Sequence, residues 1–114
     1  MEKIWLKHYP PGVPETIDYP KIPLHQLLED SASKFPRNTA IIFPGAFDDE
    51  RLMSFKELND KSNRMANALI DMGVKKGDRV ALLMPNCPQF VISYYAVLKV
   101  GGIVVATNPL YSPR

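Results

Sequence analysis

The sequence is short of the residues from which most active sites are assembled. A single cysteine, Cys87, leaves no disulfide to close within the chain, and with only His8 and His25 as imidazoles no zinc-ligand spacing arises. A reducing compartment is the simplest reading of that usage. Neither Gly-x-Gly-x-x-Gly nor Gly-x-x-x-x-Gly-Lys occurs, so the usual backbone cradles for phosphate are missing. No apolar run approaches the ~20 residues that span a bilayer, and the first ten residues hold no run of signal-peptide length. The expectation is a soluble, cytoplasmic protein. Lys and Arg outnumber Asp and Glu only 14 to 12, and neither sign is gathered into a block, which argues against a nucleic-acid partner.

What is present is an α/β pattern in 114 residues, enough for one domain that hides roughly two-thirds of its unfolded surface. Its centre is the stretch from Asp78 to Asn108. Val80 to Met84 is an unbroken apolar run, the pattern of a strand covered on both faces as in a parallel sheet, and Ile103 to Ala106 repeats it. The segment between them is long enough for a helical crossover, so the two strands should run parallel with a right-handed connection. Asn86 and Gln89 have capping-box spacing at its start, Pro88 suits a first turn, and Gly101 and Gly102 provide a left-handed stop. From Phe90 to Leu98 this helix is apolar on nearly every side, which predicts an aggregation-prone surface unless more protein packs there.

Ahead of this unit, residues 1–22 hold four of the eleven prolines with Trp5, Tyr9 and Tyr19, and read as an extended arm pinned by its aromatics. Leu24, Leu27, Leu28, Ala32 and Phe35 then fall on one helical face, opposite Gln26, Glu29, Asp30 and Lys34, and Pro36 ends that helix. Thr39 to Phe43 and Arg51 to Met53 read as a hairpin across the turn-rich residues 44–50. Ser54 and Glu57 form a second capping box, flanked by Met53 and Leu58 at hydrophobic-staple spacing. Phe55, Leu58, Met65, Ala66 and Leu69 make the buried stripe of the helix that follows, Asn59, Lys61, Asn63 and Arg64 lie largely outside it, and Gly73 stops it. Residues 108–114 end the chain with no element to cover the crossover helix, so the polypeptide reads as cut.

Candidate chemistry is sparse. Cys87 sits in a first helical turn with no His or Asp in view, so burial or turn formation explains it better than nucleophilic catalysis. His8 and His25 read as an arm residue and a helix residue. Asn86 and Asn108 stand beyond the carboxyl ends of the two parallel strands, where ligands of open α/β sheets gather, although capping and turn formation account for them more simply.

Taken together these pieces resemble the N-terminal part of the adenylate-forming enzymes, which include acyl-CoA synthetases and peptide-synthetase adenylation domains. Met53-Ser54-Phe55-Lys56-Glu57-Leu58 is similar to the family's Leu-(Thr/Ser)-Tyr-x-Glu-Leu motif. Leu98-Lys99-Val100-Gly101-Gly102 with the apolar run to Pro109 is similar to Leu-Lys-Ala-Gly followed by a strand and Pro, with Val100 in place of the usual Ala, and Lys-Gly-Asp-Arg-Val-Ala at residues 76–81 also matches. The arm around Trp5 to Pro14 and the stretch Asn108 to Arg114 resemble the long-chain fatty acyl-CoA ligase branch.

The resemblance implies an arm at residues 1–22 followed, at 23–114, by the first part of the large N-terminal adenylation domain, truncated at its C-terminal end. It implies a parent enzyme that turns a fatty carboxylate and ATP into acyl-adenylate with magnesium, then transfers the acyl group to CoA, as a cytoplasmic protein open to peripheral contact with the inner membrane face and to oligomerisation. The family's phosphate loop, nucleotide contacts, magnesium-binding Glu and catalytic Lys lie downstream of these motifs. No catalytic, cofactor-binding or metal-binding residue is therefore assigned within these 114, and the chain alone is expected to be inactive. A stand-alone small α/β binding protein and an adenylating enzyme for another carboxylic acid, aryl or amino, remain as alternatives.

Overall fold

A computed structural model of the chain describes residues 3–44 and 51–110. The expected turn at 44–50 therefore lies, beyond Pro44, outside the described residues, as do residues 111–114 at the end. After a 3-10 turn at Ile4–His8, the elements are α1 (Leu24–Lys34), β1 (Thr39–Phe43), β2 (Arg51–Ser54), α2 (Phe55–Asp71), β3 (Arg79–Leu83), α3 (Pro88–Lys99) and β4 (Ile103–Thr107). β1 and β2 pair antiparallel, with Ile42 opposite Leu52 and an irregularity between Thr39 and Ile41. β3 and β4 form a separate parallel pair, Arg79 opposite Ile103 through to Leu83 opposite Thr107, with α3 as the crossover.

The core lies where α2 and α3 meet and sit on the β3–β4 pair. Leu58, Ser62, Ala66 and Leu69 are the buried residues of α2, spaced four, four and three apart on one face. Ser93, Ala96 and Val97 answer them from α3. Leu82 closes the cluster from the sheet, with Val80 and Val104 half-buried beside it. Ser62 and Ser93 belong to the buried stripes although the apolar pattern passes over them. The Ser62 hydroxyl is fully buried without a hydrogen-bond partner among the described residues.

Both long helices end in Schellman turns. At the end of α2, Gly73 (φ +92°) donates to the Ile70 carbonyl and Val74 to the Leu69 carbonyl at 3.0 Å. At the end of α3, Gly101 (φ +74°) donates to the Leu98 carbonyl and Gly102 to the Val97 carbonyl at 2.9 Å. Gly102 is needed for space, because a Cβ there would lie 3.0 Å from Val97 Cγ1 and 3.2 Å from the Val97 carbonyl. The two parallel strands are started together: Gly77 N–H donates to the Gly101 carbonyl, and Ile103 N–H to the Asp78 carbonyl at 2.7 Å.

The two expected capping boxes part company. At α2 the box is complete: Ser54 N–H donates to Glu57 Oε2 at 2.9 Å, and the Ser54 hydroxyl accepts from the Glu57 N–H at 3.2 Å. The Ser54 backbone N–H, and then its hydroxyl, hold the Glu57 carboxyl below its ordinary value of 4.5. At α3 the cap is Cys87, extended at φ −149° and ψ 164° with no side-chain cap bond, and Pro88 is the first helical residue. The box of Asn86 with Gln89 required Cys87 to be helical directly before a proline, which the pyrrolidine ring disfavours. The start therefore moves one residue on and separates the pair from capping register.

Four further expectations on coverage are revised. The β3–β4 pair is covered on one face only, since Leu83 is 62 % exposed and Ile103 and Val105 also face outward. The apolar run fits a doubly covered strand, but the described residues place helices on one side alone. Conversely α3 is not bare, since Phe90, Ile92, Tyr94, Tyr95 and Leu98 are all half-buried between α2, α1 and the sheet. On α1 only Leu28 is buried, while Leu24, Leu27 and Phe35 are about half exposed. The arm's Trp5, Tyr9 and Tyr19 are exposed, so its aromatics do not pin it to the described residues.

Two measurements check this account. Ser54→Ala should cost about 1 kcal/mol in thermal unfolding, whereas Asn86→Ala should change stability by less than about 0.5 kcal/mol because its side chain caps nothing. Glu57 binds its proton less readily folded than unfolded, so its share of the box is present above pH 4.5 and lost as pH falls through the lowered folded value. Equal losses for the two variants would restore the Asn86 box. Second, the uncovered face should make the chain bind a hydrophobic dye and self-associate in size-exclusion chromatography, and Leu83→Lys with Val105→Lys should abolish both. A dye-silent monomer before substitution would contradict the exposed face.

Candidate functional site

The carboxyl ends of β3 and β4 open beside the start of α3, and the strand exits diverge to leave a cleft of about 540 Å³. Met84, Pro85 and Asn86 follow β3 into it, Thr107 to Leu110 follow β4, and Phe90 comes from the first turns of α3. This is where the topology of a parallel sheet leaves room for a ligand, because each strand's backbone turns away from the edge that its neighbour continues.

The lining is mostly apolar, and its polar groups differ in how far they are committed. Asn108 Oδ1 accepts from the Leu110 N–H at 2.9 Å, an Asx turn that bends the chain at the end of β4. Thr107 leans its hydroxyl toward the Val105 carbonyl at 3.4 Å, a long contact. Asn86 is exposed at the rim and its whole amide makes no hydrogen bond among the described residues. The aromatic wall continues inward from Phe90 to Tyr94, ring centroids 6.2 Å apart, and on to Tyr95 at 6.1 Å edge to face.

Among the described residues no Asp, Glu, His, Lys or Arg lines the cleft. The described lining offers shape and amide groups for binding, and among the described residues no group there moves a proton or neutralises a triphosphate. Cys87 is half-buried at the cap of α3, and neither it nor His8 nor His25 lines the cleft. His25 borders a different hollow of about 490 Å³ with Pro23, Lys76 and Lys99, so cysteine and imidazole are not brought together. Among the described residues no group of three His, Cys, Asp or Glu side chains could hold a metal ion. No described helix is long and apolar enough to cross a membrane.

The residues of the three quoted motifs carry structural duties. Ser54 and Glu57 start α2. Gly77 and Asp78 lock the beginning of β3 to that of β4, and Asp78 Oδ2 also accepts from the Lys75 N–H at 2.7 Å. Lys99, with 8 % of its side chain exposed, donates to Glu29 Oε1 of α1 at 2.5 Å and to Asn59 Oδ1 of α2 at 3.0 Å, joining three helices. Sequence reasoning had set Glu29 and Asn59 on outer faces. The missed signal is that a lysine in the last turn of a nearly all-apolar helix needs polar partners brought to it.

Comparison with known proteins agrees with this geometry. The model of the family described as AMP-binding enzyme matches residues 28–114. A long-chain-fatty-acid–CoA ligase of Bacillus subtilis is 46 % identical over 97 % of this chain, which covers 19 % of that protein. The fatty acyl CoA synthetase of Mycobacterium tuberculosis superposes with a TM-score of 0.71 at 34 % identity, over 77 % of this chain and 17 % of that one. The N-terminal subdomain of Klebsiella oxytoca NpsA in complex with anthranilyl-AMSN superposes with a TM-score of 0.72 at 26 % identity, over 80 % and 23 % of the two chains. The chain thus spans about a fifth of the length of the curated relative it matches. The capped α2, the glycine-stopped crossover and the strand-end cleft, together with these matches, place the chain in the AMP-binding enzyme family.

Proposed function

We propose that this chain forms the opening part of a fatty acid–CoA ligase. In the reaction, a fatty carboxylate oxygen attacks the α-phosphorus of ATP, the bond to pyrophosphate breaks, and acyl-adenylate forms. The thiol of CoA then attacks the acyl carbon, loses its proton and expels AMP. The observation that carries the reading is the 46 % identity with a long-chain-fatty-acid–CoA ligase along 97 % of the chain. Magnesium would supply charge neutralisation on the triphosphate, and the described lining of the cleft carries no carboxylate to hold it. We place its ligands and the acid–base groups in the remainder of a polypeptide of the relatives' length, with residues 1–22 as an arm and 23–114 as the start of the adenylation domain.

The role left to these 114 residues is scaffolding and, at the cleft, contact. Asn86 is the side chain best placed to meet substrate, because its amide has no partner among the described residues. A cytoplasmic enzyme of lipid metabolism, touching the inner membrane face to collect its acid, fits this substrate.

Pyrophosphate release tests the reading. With palmitate, ATP, Mg²⁺ and CoA, a polypeptide of the relatives' length that contains this sequence should release pyrophosphate in a fatty-acid-dependent way. The 114-residue chain should stay at blank. Turnover by the short chain would overturn the placement of the chemistry elsewhere, and turnover of the long one with an aryl or amino acid in place of palmitate would overturn the substrate.

A further inference from the structure

α1 is attached to the rest of the molecule differently from every other helix. Leu28 is its one buried residue, and Leu28 is not part of the main core. That core consists of Ala66, Leu69, Leu82, Ala96 and Val97, and the half-buried side chains packed on it come from α2, α3, the β3–β4 pair and the loops joining them. The N-terminal end of α1 is weakly held, since Pro23 caps it without a side-chain bond and Leu24 and Leu27 are about half exposed. By contrast, the chain just beyond its C-terminal end is firmly fixed. The Pro36 and Asn38 carbonyls accept from the Lys56 and Phe55 N–H groups at the start of α2, at 3.1 and 3.0 Å. Between that end and the fixed one, Glu29 accepts a side-chain hydrogen bond from Lys99 of α3.

We propose that α1 is a strap that swings open about Phe35 while α2, α3, β3 and β4 stay folded, and that the Glu29–Lys99 pair is its clasp. Phe35 suits a hinge because it already lies off the helix, at φ −134° and ψ 53°, and is 55 % exposed. Opening does not orphan the lysine, because its ammonium keeps the bond to Asn59 Oδ1 and gains water in place of the carboxylate. It uncovers Leu28 and the groove between α2 and α3 while leaving every residue of the main core in place. Local openings of this kind draw on elements with few buried apolar contacts, and among the three α-helices α1 has the fewest buried residues.

Native-state hydrogen exchange on the 114-residue chain tests the strap, and the unsubstituted protein gives the first reading. Amides in the body of α1 should exchange at least about tenfold faster than those in the middle of α2 and α3. Glu29→Ala should speed α1 by about a further tenfold, the loss of a charge-assisted bond, with α2 and α3 unmoved. Alanine is the best helix former, so that acceleration is not a loss of helix propensity. Raising salt to 1 M should act in the same direction by less, because the pair is partly shielded from solvent. Equal exchange of the three helices in the unsubstituted chain would overturn the strap. Acceleration of all three in Glu29→Ala, or complete unfolding, would show one cooperative unit and overturn it too. An α1 indifferent to Glu29→Ala would overturn the clasp.

Discussion

Everything in this molecule hangs on two helices that can come close because the side chains between them are small. Ser62 and Ala66 are buried on α2 and Ser93 and Ala96 on α3, and the α2–α3 contact is the most extensive between any two of the described elements. Val97, fully buried, projects from this seam, and the β3–β4 pair lies on it through Leu82, Val80 and Val104. Larger groups at these positions would separate the helices and withdraw the support beneath the sheet. The hydroxyl of Ser62 is the blemish in the arrangement, buried without a partner among the described residues where a methyl would serve the packing alone.

The seam also determines where the rest can go. α3 must stop at Lys99 and reverse within two residues to deliver β4 beside β3, and Gly101 and Gly102 do this in different ways. Gly101 adopts the left-handed conformation, and Gly102 leaves room for Val97 and the Asp78 carbonyl. At the other end of α3 the same connection sets Asn86 and Asn108 on either side of a cleft. The motifs shared with the AMP-binding enzymes are thus explained by turns, caps and close approaches. They build the edge of the cleft at the carboxyl ends of β3 and β4.

The strand-helix-strand unit was legible because its apolar runs, proline and glycines are local signals that tertiary packing did not override. The Ser54 box was legible for the same reason, as residues 54 and 57 answer only to each other. Asn86 misled because its neighbours Cys87 and Pro88 impose a backbone preference stronger than the spacing of two polar side chains. Ser62 and Ser93 were passed over because a hydropathy pattern counts hydroxyls as surface, whereas a tight helix seam counts size. Coverage of the sheet and of α1 was beyond reach for another reason. An apolar residue shows in sequence that it favours burial, not which element arrives to bury it, and Leu83, Leu27 and Trp5 remain exposed among the described residues.

The claim that these motifs hold the scaffold and do not touch the reaction is tested most directly at Gly102, in an enzyme of the relatives' length that contains this sequence. The account predicts that Gly102→Ala lowers the unfolding free energy by about 1–3 kcal/mol, as a Cβ forces Val97 aside, while kcat/KM measured well below the melting temperature stays within about twofold. A tenfold or larger fall in kcat/KM with an unchanged melting temperature would contradict it, and would place the turn between α3 and β4 in contact with the chemistry.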